Sequence, residues 1–166
     1  MEQNTEIVVL GLGNILLRDE GVGVKVIEDL RKRYDFSPPV KMIDGGTAGF
    51  GLVTEIEDCN KLLVVDAVKA GNEPGTIYKF KRGDITVQIP LTLSVHDISF
   101  YEALEHWKML GIDPEVIFFG IEPEDMNSWG FDLTPCIQDK MPKLVALVID
   151  QLQADGITVT KKNHVI

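Results

Sequence analysis

The run Gly11-Leu-Gly-Asn-Ile-Leu-Leu-Arg-Asp-Glu-Gly-Val-Gly23 constrains the fold of this chain more than any other stretch. An apolar segment, Ile7-Val8-Val9-Leu10, feeds it, and a helical pattern over 22–30 leaves it. Strand, glycine-rich turn and helix in that order open an α/β sheet. Such a turn lies at the carboxyl edge of the strands, where ligands bind. The glycines invite a dinucleotide-binding reading, but that fingerprint needs G-x-G-x-x-G, and Leu16 occupies the third glycine position. No acidic residue ends a second strand about 20 positions further on, where a ribose would need it. The loop is therefore not a phosphate cradle, and Glu20, near its end, is one of the residues weighed below.

The rest of the chain continues the pattern. A strand over 6–10 is followed by a helix with Asp19 as N-cap that runs to about Arg33, with Val22, Val26, Ile27 and Leu30 on one face. Ser37-Pro38-Pro39 breaks the chain. A strand over 40–43 then ends in the turn cluster Asp44-Gly45-Gly46-Thr47. A short helix over 50–57 leads to Leu62-Leu63-Val64-Val65, a continuous apolar run typical of a strand buried on both faces, which ends at Asp66. Residues 76–80 alternate like a strand, and 82–93 read as loop. Ser94 and Asp97 have capping-box spacing ahead of a helix to about Leu110, with Phe100, Leu104 and Trp107 on one face and Gly111 as its stop. Another buried strand covers 116–120. Thr134-Pro135 starts a helix to about Gln153, with a kink or break expected at Pro142. Residues 157–166 read as a flexible tail without a docking face. The order of elements gives a single α/β domain over 1–166, with a mostly parallel sheet between helix layers.

Charge and cysteine usage narrow the function classes. The chain has 166 residues, and its formal net charge of −10 makes nucleic acid and anionic membranes poor partners. Cys59 and Cys136 form no CxxC pair and no disulfide framework, which points to a reducing compartment. No apolar run approaches the roughly 20 residues of a membrane span. The polar N-terminus has no signal-peptide layout, so a cytoplasmic location and a monomer are the expectations.

Hydrolase motifs are sparse. G-x-S-x-G and H-E-x-x-H are both absent. Position is more informative. In a parallel sheet Glu20 follows the first strand, Asp66 ends the third, and His96 opens a helix after a long loop. All three can gather at one sheet edge, and two carboxylates with an imidazole suit a divalent transition metal. In the first turn of a helix the dipole disfavours imidazolium and keeps a nitrogen lone pair free. Each residue has a plainer reading. Glu20 can complement a helix end, Asp66 can cap a turn, and His96 can be an exposed first-turn histidine. Asp44 reads as a turn residue, His106 as structural, and His164 has no role. Residues 122–125 read as a solvated acidic loop.

Taken together, the motifs resemble those of the nickel-iron hydrogenase maturation endopeptidases. The match consists of the opening loop, Asp44-Gly-Gly-Thr-Ala-Gly49, Val65-Asp66-Ala67, Ser94-Val-His-Asp97, Gly120-Ile-Glu-Pro123 and Leu133-Thr-Pro135, in order and spacing over 7–152. The resemblance implies a three-layer α/β/α sandwich on a twisted, mostly parallel five-stranded sheet. It implies metal ligands at Glu20, Asp66 and His96, with Asp44 of the D-G-G motif involved in activity. The implied reaction removes a short C-terminal extension from a hydrogenase large-subunit precursor, after a histidine or arginine, once nickel is in place. The metal would be nickel supplied by the substrate, with other divalent metals able to occupy the site. Two other readings stand beside it: a hydrolase with a resident zinc acting on a small amide, and a non-catalytic nickel-sensing docking module.

Overall fold

The structure, a computed structural model, describes residues 6–48, 50–84 and 95–163, without the side chains of Phe50 and of 95–99. Five strands form the central sheet. They are β1 (Ile7–Leu12), β3 (Lys41–Gly46), β4 (Lys61–Ala67), β5 (Ile77–Lys81) and β6 (Glu115–Ile121). Their order is β3-β1-β4-β6-β5. All neighbours are parallel except β5, which runs antiparallel to β6 at one edge.

The apolar runs have no polar alternation because both sheet faces are covered. Ile7, Val9, Leu63 and Val65 pack under α1 (Val22–Arg33) and α4 (Pro135–Ala154). The intervening residues Val8, Leu10, Leu62 and Val64 pack against the short α2 (Val53–Ile56) and α3 (Val95–Met109), where Leu104 and Trp107 are fully buried. The result is the α/β/α sandwich expected from the sequence.

Four expectations are corrected. α1 begins at Val22 with Gly21 as its N-cap, because 18–21 form a separate 3-10 turn and the Asp19 carboxylate is used elsewhere. The span after Gly156 contains β7 (Thr158–Lys161), paired antiparallel with β2 (Tyr34–Ser37), and Ile157 is buried beneath it. α4 runs through Pro142 without a break. Its stripe of Ile137, Met141, Leu144, Val145, Val148 and Leu152 is buried on both sides of the proline. At about 1.5–3 kcal/mol per buried side chain, that stripe outweighs the roughly 3 kcal/mol cost of an interior proline. The acidic loop is the fourth correction and belongs to the site. Ser94, the expected cap of α3, and His164 lie outside the described residues.

Candidate active site

The strand order reverses around β1. The chain goes from β1 to β3 on one side and then crosses to β4 on the other. A crevice opens at that switch point, outside the carboxyl ends of the strands. Register brings three strand ends together there: Gly11 lies beside Asp44 of β3 and Val65 of β4, and Leu12 beside Gly46. The crevice holds about 330 Å³ of free space including its open mouth. Leu12, Gly13, Glu20, Gly46 and Asp66 are among its walls, with Phe100 of α3 and Met126 closing it.

Close backbone approach builds this geometry. A Cβ on Gly23 would collide with the carbonyl oxygens of Val65 and Leu12, so only glycine lets α1 start directly on the strand ends. Gly13, at φ +127°, turns the chain out of β1, and its N–H donates to the Gly46 carbonyl at 2.8 Å. The Asn14 side chain accepts the Leu16 N–H at 3.0 Å, and the Glu20 N–H donates to the Leu17 carbonyl at 3.1 Å. These bonds fold 14–20 into a tight loop that carries Glu20, only 6% exposed, into the crevice wall.

Of the residues singled out by sequence, Glu20 and Asp66 share this crevice. Asp66 Oδ1 accepts the Ala67 N–H at 2.8 Å. Asp44 is exposed at the end of β3, two residues before Gly46, and its Oδ1 accepts the Gly46 N–H at 3.0 Å, the turn role expected of it. His96 is the second residue of α3, four positions before Phe100 of the crevice, and its side chain lies outside the described residues. His106 is exposed in the last turn of α3. Neither cysteine lines the crevice. Burial pushes the Cys59 thiol up to about 11, which leaves it without nucleophilic thiolate at neutral pH.

Three acidic residues have functions that the sequence reading missed. Asp19 is fully buried. Its carboxylate accepts hydrogen bonds from the N–H groups of Glu124, Asp125 and Thr134, at 3.0, 2.9 and 2.8 Å, and from the Thr134 hydroxyl at 2.9 Å. It therefore ties the glycine loop to the loop over 122–134. The Thr134 hydroxyl is spent on Asp19, so α4 has no side-chain cap. Glu122, expected in solvent, is 5% exposed. It accepts from the Tyr78 hydroxyl at 2.6 Å and from the Ala70 and Gly71 N–H groups at 2.8 and 3.2 Å. Burial and that bond to Glu122 raise the Tyr78 pKa. Asp125 accepts the N–H groups of Asn127 and Ser128, and hydrogen bonds from Ser128 and Asn127 hold its carboxyl at about 2. The Asp125-x-Asn-Ser spacing was the available sequence signal, being that of an Asx turn.

Comparison with known proteins identifies the family and the fold. The family model described as hydrogenase maturation protease matches residues 24–151. The hydrogenase expression/formation protein HupD of Bradyrhizobium diazoefficiens is 35% identical over 97% of this chain and 85% of its own length. The hydrogenase 2 maturation protease of Escherichia coli is 31% identical over 91% of this chain and 93% of its own. Among solved structures, the hydrogenase maturating endopeptidase HybD from E. coli superposes with a TM-score of 0.88 at 29% identity, covering 95% of this chain and 98% of that one. The HybD maturation protease from Thermococcus kodakarensis, at 20% identity and a TM-score of 0.74 over 89% of this chain and 99% of that one, shares the fold. By sequence and by architecture, the chain belongs to the hydrogenase maturation protease family.

Proposed function

We propose that this protein is the endopeptidase that removes the C-terminal extension of a nickel-loaded [NiFe]-hydrogenase large-subunit precursor, with the substrate's nickel gripped by Glu20, Asp66 and His96. One observation carries the proposal: Glu20 and Asp66 wall the same switch-point crevice in a chain of the hydrogenase maturation protease family. Two carboxylates and one imidazole fit a borderline divalent ion and leave coordination positions for the ligands the precursor already supplies. The metal is cargo, and gripping it fixes the distance between the crevice and the peptide bond a few residues beyond. Positioning of this kind converts attack by water into a nearly unimolecular step.

Hydrolysis needs a water activated and the leaving nitrogen protonated. The substrate's nickel supplies Lewis acidity for the carbonyl or the water. Asp44 is the residue proposed to handle the proton, since Gly46 engages Oδ1 and the residue is open to solvent.

The test is incubation with nickel-loaded and nickel-free precursor, read by mass spectrometry. Mass loss only from the loaded form supports the reading, and rapid cleavage of metal-free precursor would sink the grip. Stoichiometric zinc in the purified protein would favour a resident-metal hydrolase. An unchanged precursor mass would favour a docking module.

A further inference from the structure

Large apolar side chains cluster on the surface beside the crevice. Trp129 is 79% and Phe131 63% exposed, with Ile15 and Leu16 each above a third. Single exposed apolar residues are ordinary, but a contiguous group marks an interaction site. This group is held together by the backbone. The Gly130 N–H donates to the Leu16 carbonyl at 2.9 Å, the Arg18 N–H donates to the Gly130 carbonyl at 2.9 Å, and Leu17 bridges Gly130 in parallel. Arg18, at φ +48°, adds a strut from its Nε to the Asp132 carbonyl at 3.2 Å. The platform is continuous with the crevice. The 14–17 loop folds so closely over Gly21, next to Glu20, that a Cβ there would lie 2.8 Å from the Ile15 Cα. Met126 of the crevice shares a loop with Trp129.

We propose that Ile15, Leu16, Trp129 and Phe131 form the docking platform for the folded body of the precursor, seating an apolar, basic-rimmed face of it while the crevice holds the scissile segment. The inference rests on the precursor-processing reading. A crevice of about 330 Å³ reaches only a few residues. Stable recognition of a folded protein requires about 800 Å² on each partner, so most of the contact must lie outside it. Exposed tryptophan on a rigid support is the residue type that anchors such contacts. Glu124 and Asp132 are exposed around the patch, while Asp125 is paired with Arg18 at 3.9 Å, and the two exposed carboxylates complement a cationic rim. A second copy of this chain would set the same acidic rim against itself across a two-fold axis.

The experiment measures steady-state cleavage of nickel-loaded, full-length precursor by wild type, by Trp129→Ser/Phe131→Ser and by Leu16→Ser. Sedimentation of each protein alone is run in parallel. Docking is expected to appear as a KM raised about 10-fold or more in the double variant, with kcat and thermal midpoint essentially unchanged. Wild-type KM in both variants, or a fall in kcat at constant KM, overturns the docking proposal alone. So does a wild-type dimer that becomes monomeric in the double variant. Wild-type protein that neither binds nor cleaves the precursor overturns the functional reading beneath it. If the double variant fails to fold, Leu16→Ser decides by the same readout.

Discussion

Three neighbouring residues divide the labour of the glycine loop. Arg18 braces the outer surface, Asp19 fastens the loop from within, and Glu20 faces the crevice. Removing Asp19 isolates its part. Asp19→Ala leaves three backbone N–H groups and one hydroxyl without their buried acceptor. At about 1–3 kcal/mol per unsatisfied group, with water relieving some of them, a loss of at least about 3 kcal/mol is expected. Near this chain length, that corresponds to a thermal midpoint lower by roughly 6–12 °C. An unchanged midpoint in calorimetry would contradict the clamp. Glu20→Gln is nearly isosteric and removes a charge at the crevice wall. Its expected effect is the opposite: a native midpoint with precursor cleavage reduced about 100-fold or more, as for a scissile bond no longer held in position. Processing at wild-type rate would remove Glu20 from the site. The sequence placed Asp66 because it directly follows the apolar run over 62–65, and Glu20 because it lies between a glycine loop and the start of a helix, both of which are readable. It could not show Asp19 as a clamp, because an aspartate ahead of a helix looks the same whether it caps that helix or bonds a loop about a hundred residues away. Glu122 was misread for the same reason: its partners are the Tyr78 hydroxyl and two distant backbone N–H groups.

Elements were legible where burial is continuous and obscure where pairing is short. The runs over 7–10, 62–65 and 116–120 are apolar on both faces, and each became a central strand. β2 and β7 have four residues each and mutually supplied partners, so neither carries a pattern of its own. In α4 the proline rule and the apolar stripe competed, and the stripe prevailed. Pro142 is exposed, so Pro142→Ala forfeits little burial. It should restore a backbone donor and stabilise the protein by about 1–3 kcal/mol, seen as a higher urea midpoint. No gain would mean that the helix has already absorbed the proline at no cost. The loop over 122–134 contributes one acid-sensitive carboxylate, Asp125. The folded Asp125 carboxyl is depressed from 3.8 to about 2 by its bonds to Ser128 and Asn127. Its contribution is therefore present above about pH 4 and fades as the pH falls through about 2, with a small amplitude because solvent screens an exposed group. In thermal melts from pH 6 to 2, Asp125→Asn is expected to flatten the low-pH part of the curve. A parallel curve would assign that region to other carboxylates.

At the scale of the molecule, one sheet reversal places everything. The reversal around β1 gathers the loops after β1, β3 and β4 at one edge. The order of strand and helix signals made the sandwich readable, whereas the apolar platform is a product of two loops zipped together across the fold. Among the described residues no helix is long and apolar enough to cross a membrane. The whole surface also carries ten net negative charges. A strongly acidic protein attracts a cationic face from a distance and repels an acidic one, and this term disappears as salt shortens the screening length from about 10 Å at 0.1 M to about 3 Å at 1 M. Apolar contact is not weakened by the same change. The two contributions to precursor recognition therefore separate in a salt titration. If the acidic rim steers a basic face onto the platform, KM for nickel-loaded precursor should rise several-fold between those salt concentrations while kcat holds. Trp129→Ser/Phe131→Ser, which keeps the rim charges, should start from a higher KM and keep the same slope. A KM that falls with salt would mean that the precursor presents an acidic face, and the rim would then act as a barrier that the aromatic contacts must overcome.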